Sequence, residues 1–135
     1  MKPEERDLAY IWDMREAARD VMDFVAGVSY VKFCSDKKIR YAVERRIEVI
    51  GEAARHVSQA FQESHPEIPW KRIIGLRDIL AHEYGEILVE RIWRVAIENV
   101  PELRQVLDPL IPPVSEEGAP KPSPPSPGGD RGEGE

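Results

Sequence analysis

The sequence predicts an all-α protein: an up-and-down bundle of four or five helices followed by a disordered Pro/Gly-rich C-terminal tail. Three observations carry this. Apolar residues recur at helical spacing through four stretches of the first 111 residues. Strand signals, meaning alternation with β-branched enrichment between turn pairs, are absent. The last 24 residues, "PPVSEEGAPKPSPPSPGGDRGEGE", hold seven of the twelve prolines and almost no apolar side chains, too few to offset the entropy of ordering. The chain therefore divides into a helical domain, residues 1–111, and a disordered tail, residues 112–135, with no internal repeat.

The first helix is expected from about Pro3 to Ala26. Pro3 suits a first turn, where its missing N–H costs nothing, and Glu4, Glu5 and Asp7 complement the helix N-terminus. Leu8, Ile11, Met14 or Arg15, Ala18, Val21 or Met22, and Val25 recur at helical spacing, and Gly27 ends the helix. The second helix starts near Asp36, a good N-cap, and runs to about Ser64, before Pro66. Its stripe is Val43, Ile47, Ile50, Ala54, Val57 and Phe61, spaced alternately by four and three as in a bundle seam. Gly51 lies beside that stripe, where a missing side chain would let another helix approach. The third helix is "EIPWKRIIGLRDILAHEY", opened by Pro69 and Trp70, with Ile73, Ile74, Leu76 and Leu80 as its apolar side and a break at Gly85. The fourth runs from Ile87 to about Leu110 on Leu88, Ile92, Trp93, Ala96 and Val100, and Pro101 must kink it or begin a short fifth helix.

Composition narrows the function classes. No apolar run approaches the length needed to cross a bilayer, and "MKPEERDLAY" has no signal-peptide core, so a soluble, cytoplasmic protein is expected. The single Cys34 cannot form an internal disulfide, and no Cys/His cluster offers metal-ligand spacing, so neither a metal nor a cofactor is expected. The net charge of −6 does not advertise nucleic acid binding. Half of it belongs to the tail, however, and the domain, with 17 basic and 20 acidic residues, is balanced enough to hold a local basic cleft.

The chemistry concentrates in "GLRDILAHEYGEI", where Arg77, Asp78, His82 and Tyr84 fall within eight residues. Asp78 and His82, four apart, share a helix face, so the carboxylate can hydrogen-bond the imidazole. Arg77 and His82 are five apart, about 140° on a straight helix. They converge on one small ligand only if the helix bends or frays or if a second copy completes the site. Histidine moves protons near neutral pH, and arginine presents a donor fork that fits phosphate. Together they suit metal-independent RNA cleavage, in which the 2′-hydroxyl attacks the neighbouring phosphorus while Arg77 stabilises the charge that builds there. The same residues also make an ordinary polar helix end, with His82 complementing the helix dipole.

"RDILAHEY" resembles the Arg-x4-His-x-Tyr signature of the HepT-like toxins, a branch of the HEPN superfamily. "YAVERRIEVIGEAARHVS" (Tyr41 to Ser58) is similar to that family's second-helix signature. "PEIPWKRIIGLRD" and "IWRVAIENVPEL" resemble its Pro-x-Ile-Pro-Trp segment and its last helix. The resemblance implies an all-α HEPN-like bundle that forms a homodimer with two copies of the motif in one cleft. It implies a metal-independent endoribonuclease acting on RNA as the toxin of a type VII-like toxin–antitoxin pair. Arg77 and His82 fall on the catalytic pair, and Asp78 on a polar position that is more often asparagine. Tyr84 falls on the tyrosine that a minimal nucleotidyltransferase antitoxin modifies with AMP. The alternative is a non-catalytic nucleotide- or partner-binding subunit of a nucleotidyltransferase complex.

Other polar and aromatic residues read as structural. His56 and His65 are expected on the surface. Trp12, Trp70 and Trp93 lie on apolar faces and are expected to pack in the core or a dimer interface. Glu52 lies beside the second-helix stripe, where it can pair with Arg77 or cap another helix. Cys34 is expected to be at least partly buried.

Overall fold

The four helical stretches expected from the sequence are all helical, and each is shaped by the residues that interrupt it. The computed structural model describes residues 3–112; of the tail, residues 113–135 lie outside the described residues. No strand occurs among the described residues.

Helix α1 (Pro3–Val25) packs along α3 (Lys37–His56). The two run antiparallel: Asp7 meets Ser58, Tyr10 stacks on His56 at 5.3 Å between ring centroids, and Asp20 pairs with Arg46 at 3.4 Å. The core between them is the expected stripe, with Ile11, Met14, Ala18 and Val21 of α1 against Val43, Ile47, Ile50 and Ala54 of α3, all essentially solvent-free. Gly27, at φ +73°, supplies the left-handed turn after α1. A short helix not read from the sequence, α2 (Tyr30–Ser35), follows it. Its first turn is capped by the Ser29 hydroxyl, which accepts from the Lys32 N–H, and it buries Phe33. Cys34 is exposed rather than partly buried. A six-residue helix has one inward direction, Phe33 occupies it, and the next residue is turned about 100° away.

The second stretch breaks where the sequence suggested one helix from Asp36 to Ser64. Asp36 does cap α3, accepting from the Ile39 N–H at 3.1 Å. At Val57 the backbone becomes extended, and Ser58 caps a separate helix, α4 (Gln59–Ser64). The cause is Asp7, in the second turn of α1. Its carboxylate is buried and accepts from both the Ser58 N–H at 2.8 Å and the Ser58 hydroxyl at 2.7 Å. A carboxylate in that position needs partners, and continuing the α-helix would spend the Ser58 N–H on its own backbone.

Gly75 divides the third stretch into α5 (Trp70–Ile74) and α6 (Leu76–His82). Trp70 is buried and its indole N–H donates to the His65 carbonyl at 3.0 Å. The fourth stretch begins at Gly85 with α7 (Gly85–Arg94), widens into a π turn over residues 95–99, and continues as α8 (Val100–Leu107) with a closing 3-10 turn. The irregularity expected at Pro101 takes this form: the Val100 N–H reaches back five residues to the Val95 carbonyl, and Pro101 then sits in the first turn of α8. Helix α8 lies antiparallel to α1, with Arg15 pairing with Asp108 and Arg104 reaching Met22. Trp12 and Trp93 are half-buried. No helix among the described residues is long and apolar enough to cross a membrane.

Candidate active site

The site is built where α3 touches the bent third stretch, and glycine permits the contact. A Cβ on Gly51 would lie 3.1 Å from the Ile73 carbonyl oxygen and 3.4 Å from the Cγ of Arg77. The absent side chain therefore lets the α5–α6 bend sit directly on α3, the close approach expected at this position. It also sets Arg77 beside Glu52, with Nε 3.3 Å from the carboxylate. Glu52 holds two further partners, Arg55 at 3.0 Å and His56 at 3.1 Å. Partial desolvation pushes the Glu52 carboxyl up. The hydrogen bonds from Arg55 and His56, with the charges of Arg55 and Arg77, outweigh it, so the group sits below the ordinary glutamate value.

Arg77, Asp78 and His82 all lie on α6 and all are exposed. His82 is its last residue, and its ring folds back along the helix. Nδ1 lies 2.9 Å from the backbone carbonyl oxygen of Asp78. This corrects the expected carboxylate–imidazole pair: Asp78 orients His82 through its main chain, and its carboxylate makes no hydrogen bond or ion pair among the described residues. The physical reason is local, since the i−4 carbonyl lies on the helix directly behind the imidazole, whereas the carboxylate leans out to water. A carbonyl oxygen only accepts, so Nδ1 carries the hydrogen in this contact, and the Nε2 of a neutral ring keeps its lone pair.

The chain after His82 is shaped to expose Tyr84. The Glu83 N–H closes α6 on the Ile79 carbonyl at 3.0 Å. Tyr84 is extended, and Gly85, at φ +71°, turns the chain into α7. Only glycine takes that conformation without strain, so the break expected at Gly85 has a backbone cause. Tyr84 is left 81% exposed. Arg91 of α7 donates to Glu83 at 2.9 Å and braces the turn; no sequence signal pointed to this pair, because its members are eight residues apart across a break. The Glu52 cluster was half legible, as a possible Arg77 partner without its ties to Arg55 and His56.

Within one chain, then, Arg77, Asp78 and His82 share a seven-residue helix with Tyr84 two residues beyond it. Nothing in the fold bends Arg77 and His82 into the same direction, because α6 is regular between them.

Comparison with known proteins bears on this arrangement. The family described as "Ribonuclease HepT-like" matches residues 14–110. A protein of Methanocaldococcus jannaschii named "Putative RNase" is 40% identical over 105 residues, 77% of this chain and 96% of that protein. A second "Putative RNase" of the same organism is 34% identical over 108 residues, 79% of this chain and 89% of that protein. A "Probable ribonuclease HepT" of Thermococcus cleftensis is 36% identical over 104 residues, 77% of this chain and 93% of that protein. No solved structure matches the chain. With the match covering the bundle from within α1 to the end of α8, the chain belongs to the HepT-like ribonuclease family.

Proposed function

We propose that the protein is a metal-independent endoribonuclease and the toxin half of a toxin–antitoxin pair. The observation that carries this reading is the His82 contact. An exposed histidine with Nδ1–H fixed on the Asp78 carbonyl presents Nε2 to solvent as a base, five residues from an exposed arginine. Nε2 takes the proton of an RNA 2′-hydroxyl. The 2′-oxygen attacks the adjacent phosphorus, the bond to the 5′-oxygen breaks, and that oxygen is protonated as it leaves. The products are a 2′,3′-cyclic phosphate and a 5′-hydroxyl end, with no water consumed. Arg77 stabilises the phosphorane charge. Its pairing with Glu52 is a half-exposed surface contact worth about 0.2–1 kcal/mol, so a phosphate can displace the carboxylate.

Because Arg77 and His82 diverge on one helix, the reading includes a homodimer in which two copies of α6 face one RNA strand. One His82 serves as base and the other as acid. Tyr84 is the control point. A nucleotidyltransferase antitoxin would join its hydroxyl oxygen to the α-phosphorus of ATP, releasing pyrophosphate. The added bulk and negative charge beside His82 then repel RNA. The exposure of Tyr84 supports its access to such a partner.

The test is incubation of the purified protein with labelled RNA in the presence of a chelator, alongside His82→Ala and Arg77→Ala. Cleavage by the wild type, reduced about 10²–10⁴-fold by His82→Ala and comparably by Arg77→Ala, is expected. Intact RNA across many substrates would turn the reading to a non-catalytic nucleotide- or partner-binding subunit.

A further inference from the structure

A second feature lies next to the motif and takes no part in the chemistry above. A cleft of about 780 Å³ opens between α2, the start of α3 and the start of α7. Gly85 and Glu86, which follow Tyr84 directly, form one end of it. Gly85 is three residues from His82, so the two are within about 11 Å along the chain, the reach of a neighbouring nucleotide on one strand.

Two tyrosines, Tyr30 and Tyr41, are among its lining residues. Tyr41 is 59% exposed. The Arg40 guanidinium lies over the Tyr41 ring, 5.8 Å from its centroid, and is anchored by donating to the Cys34 carbonyl at 2.6 Å. Opposite, Tyr30 rests on Trp93, which in turn rests on buried Phe33. Tyr30 and Tyr41 both face solvent.

Both signs of charge line the cleft, Arg40 with Glu44 and Glu86. Lys37 and Lys38 lie four and three residues before Tyr41, on the same side of α3. Both are exposed, and neither forms an ion pair among the described residues. Of the two lining glutamates, Glu44 is half-buried and Glu86 exposed. Two carboxylates against one guanidinium on the lining disfavour a phosphate there, and the exposed lysines on the Tyr41 side of α3 offer it a counter-charge. A neutral, flat group with amino hydrogens suits the interior. A stacking surface beside a guanidinium, bordered by cations, is the combination that holds single-stranded nucleic acid.

We propose that this cleft is a nucleobase-binding subsite for single-stranded RNA, with a base flanking the scissile phosphate stacked on Tyr41, its backbone phosphate at Lys37 and Lys38, and its amino edge toward Glu44 or Glu86. The proposal rests on the reading of RNA as the substrate. It makes Tyr41 a determinant of RNA affinity and of the preferred flanking base.

The experiment uses an RNA oligonucleotide with 2′-O-methyl groups, which cannot be cleaved, carrying 2-aminopurine as the reporter base. Binding is followed by anisotropy and by quenching of the base, for the full-length wild type, Tyr41→Ala and Tyr41→Phe. Sedimentation records the mass of each. Tyr41→Ala should bind about five- to hundredfold more weakly, the range for losing one base–aromatic stack, and lose the quenching. Tyr41→Phe should retain both. Equal affinity and quenching for wild type and Tyr41→Ala overturns the proposal, as does a wild type that binds no oligonucleotide. A change in assembly mass confined to Tyr41→Ala also overturns it, assigning the ring to an interface between protein chains. Cleavage of unmodified RNA is measured separately. A stacking contrast without cleavage removes the catalytic reading and leaves the subsite; cleavage without the contrast removes the subsite alone.

Discussion

Asp78 shows how one residue can act through its main chain while its side chain opposes the same chemistry. The carbonyl fixes His82, and any residue at this position supplies that carbonyl. The carboxylate is exposed, and in the proposed ribonuclease it adds a negative charge near the substrate phosphate. Asp78→Asn should therefore keep the histidine geometry and raise kcat/KM by about two- to fivefold, the scale of one like-charge repulsion of about 1 kcal/mol in water. The gain should shrink with added salt. Steady-state kinetics at low and high ionic strength checks this, and a loss on the scale of His82→Ala would show that the carboxylate itself is required.

At the scale of elements, two contacts decide where helices begin, end and meet. At Gly51, alanine would gain about 1 kcal/mol of helix propensity and lose a similar amount or more to the 3.1 Å contact with the Ile73 carbonyl, where overpacking costs about 1–3 kcal/mol. Gly51→Ala should thus lower stability by no more than about 2 kcal/mol while pushing the α5–α6 bend and Arg77 away from α3. Cleavage should fall much further than the thermal midpoint; parallel melting and activity curves would show the contrast, and unchanged activity would dismiss the contact as a determinant of Arg77. The Asp7–Ser58 clasp behaves in the opposite way. Asp7→Ala leaves Ser58 without its acceptor and should cost about 1–3 kcal/mol. Specific activity per folded molecule should be preserved, because neither Asp7 nor Ser58 shares a hydrogen bond or ion pair with Arg77, Asp78 or His82 among the described residues. Urea unfolding with an activity assay on the folded fraction tests it.

The whole molecule couples its charges to pH. Asp36 is held below the ordinary aspartate value, first by the hydrogen bond from the Ile39 N–H and then by Lys32, with desolvation opposing. Glu52 is also depressed, its partners outweighing desolvation. A depressed carboxyl stabilises the fold above its unfolded pKa, about 3.9 for Asp and 4.3 for Glu. That contribution is lost as the pH falls through the lower folded value. Glu44 runs the other way: desolvation first and Glu48 second raise it, so its ionisation weakens the fold as the pH rises through that same region. Asp36 and Glu52 thus contribute a loss of stability below about pH 4, which Glu44 opposes. Thermal midpoints between pH 3 and pH 7 should fall on acidification, and Glu44→Gln should steepen that fall. A midpoint that rises on acidification would contradict the assignment. The proposed homodimer predicts a sedimentation mass of twice the 15.4 kDa chain; a monomer active on RNA would remove the need for a second His82.

Periodicity, with the absence of strand signals, determined the all-α class and the core stripes of α1 and α3, because burying one face of a helix imposes a spacing that survives in the residue order, and glycine and proline marked helix ends by their own backbone chemistry. The motif residues were legible for a similar reason, being close in sequence on one short helix. The tertiary structure decided what depends on contacts between distant segments. It broke the second stretch at Val57, since Asp7 claims Ser58 from 51 residues away. It set Arg77 on Glu52 through the gap at Gly51. It formed the Tyr41 cleft from three helices whose residues share no pattern. It also turned His82 toward a carbonyl instead of the carboxylate, since the choice between two acceptors of one residue is made by side-chain direction, which residue order does not encode.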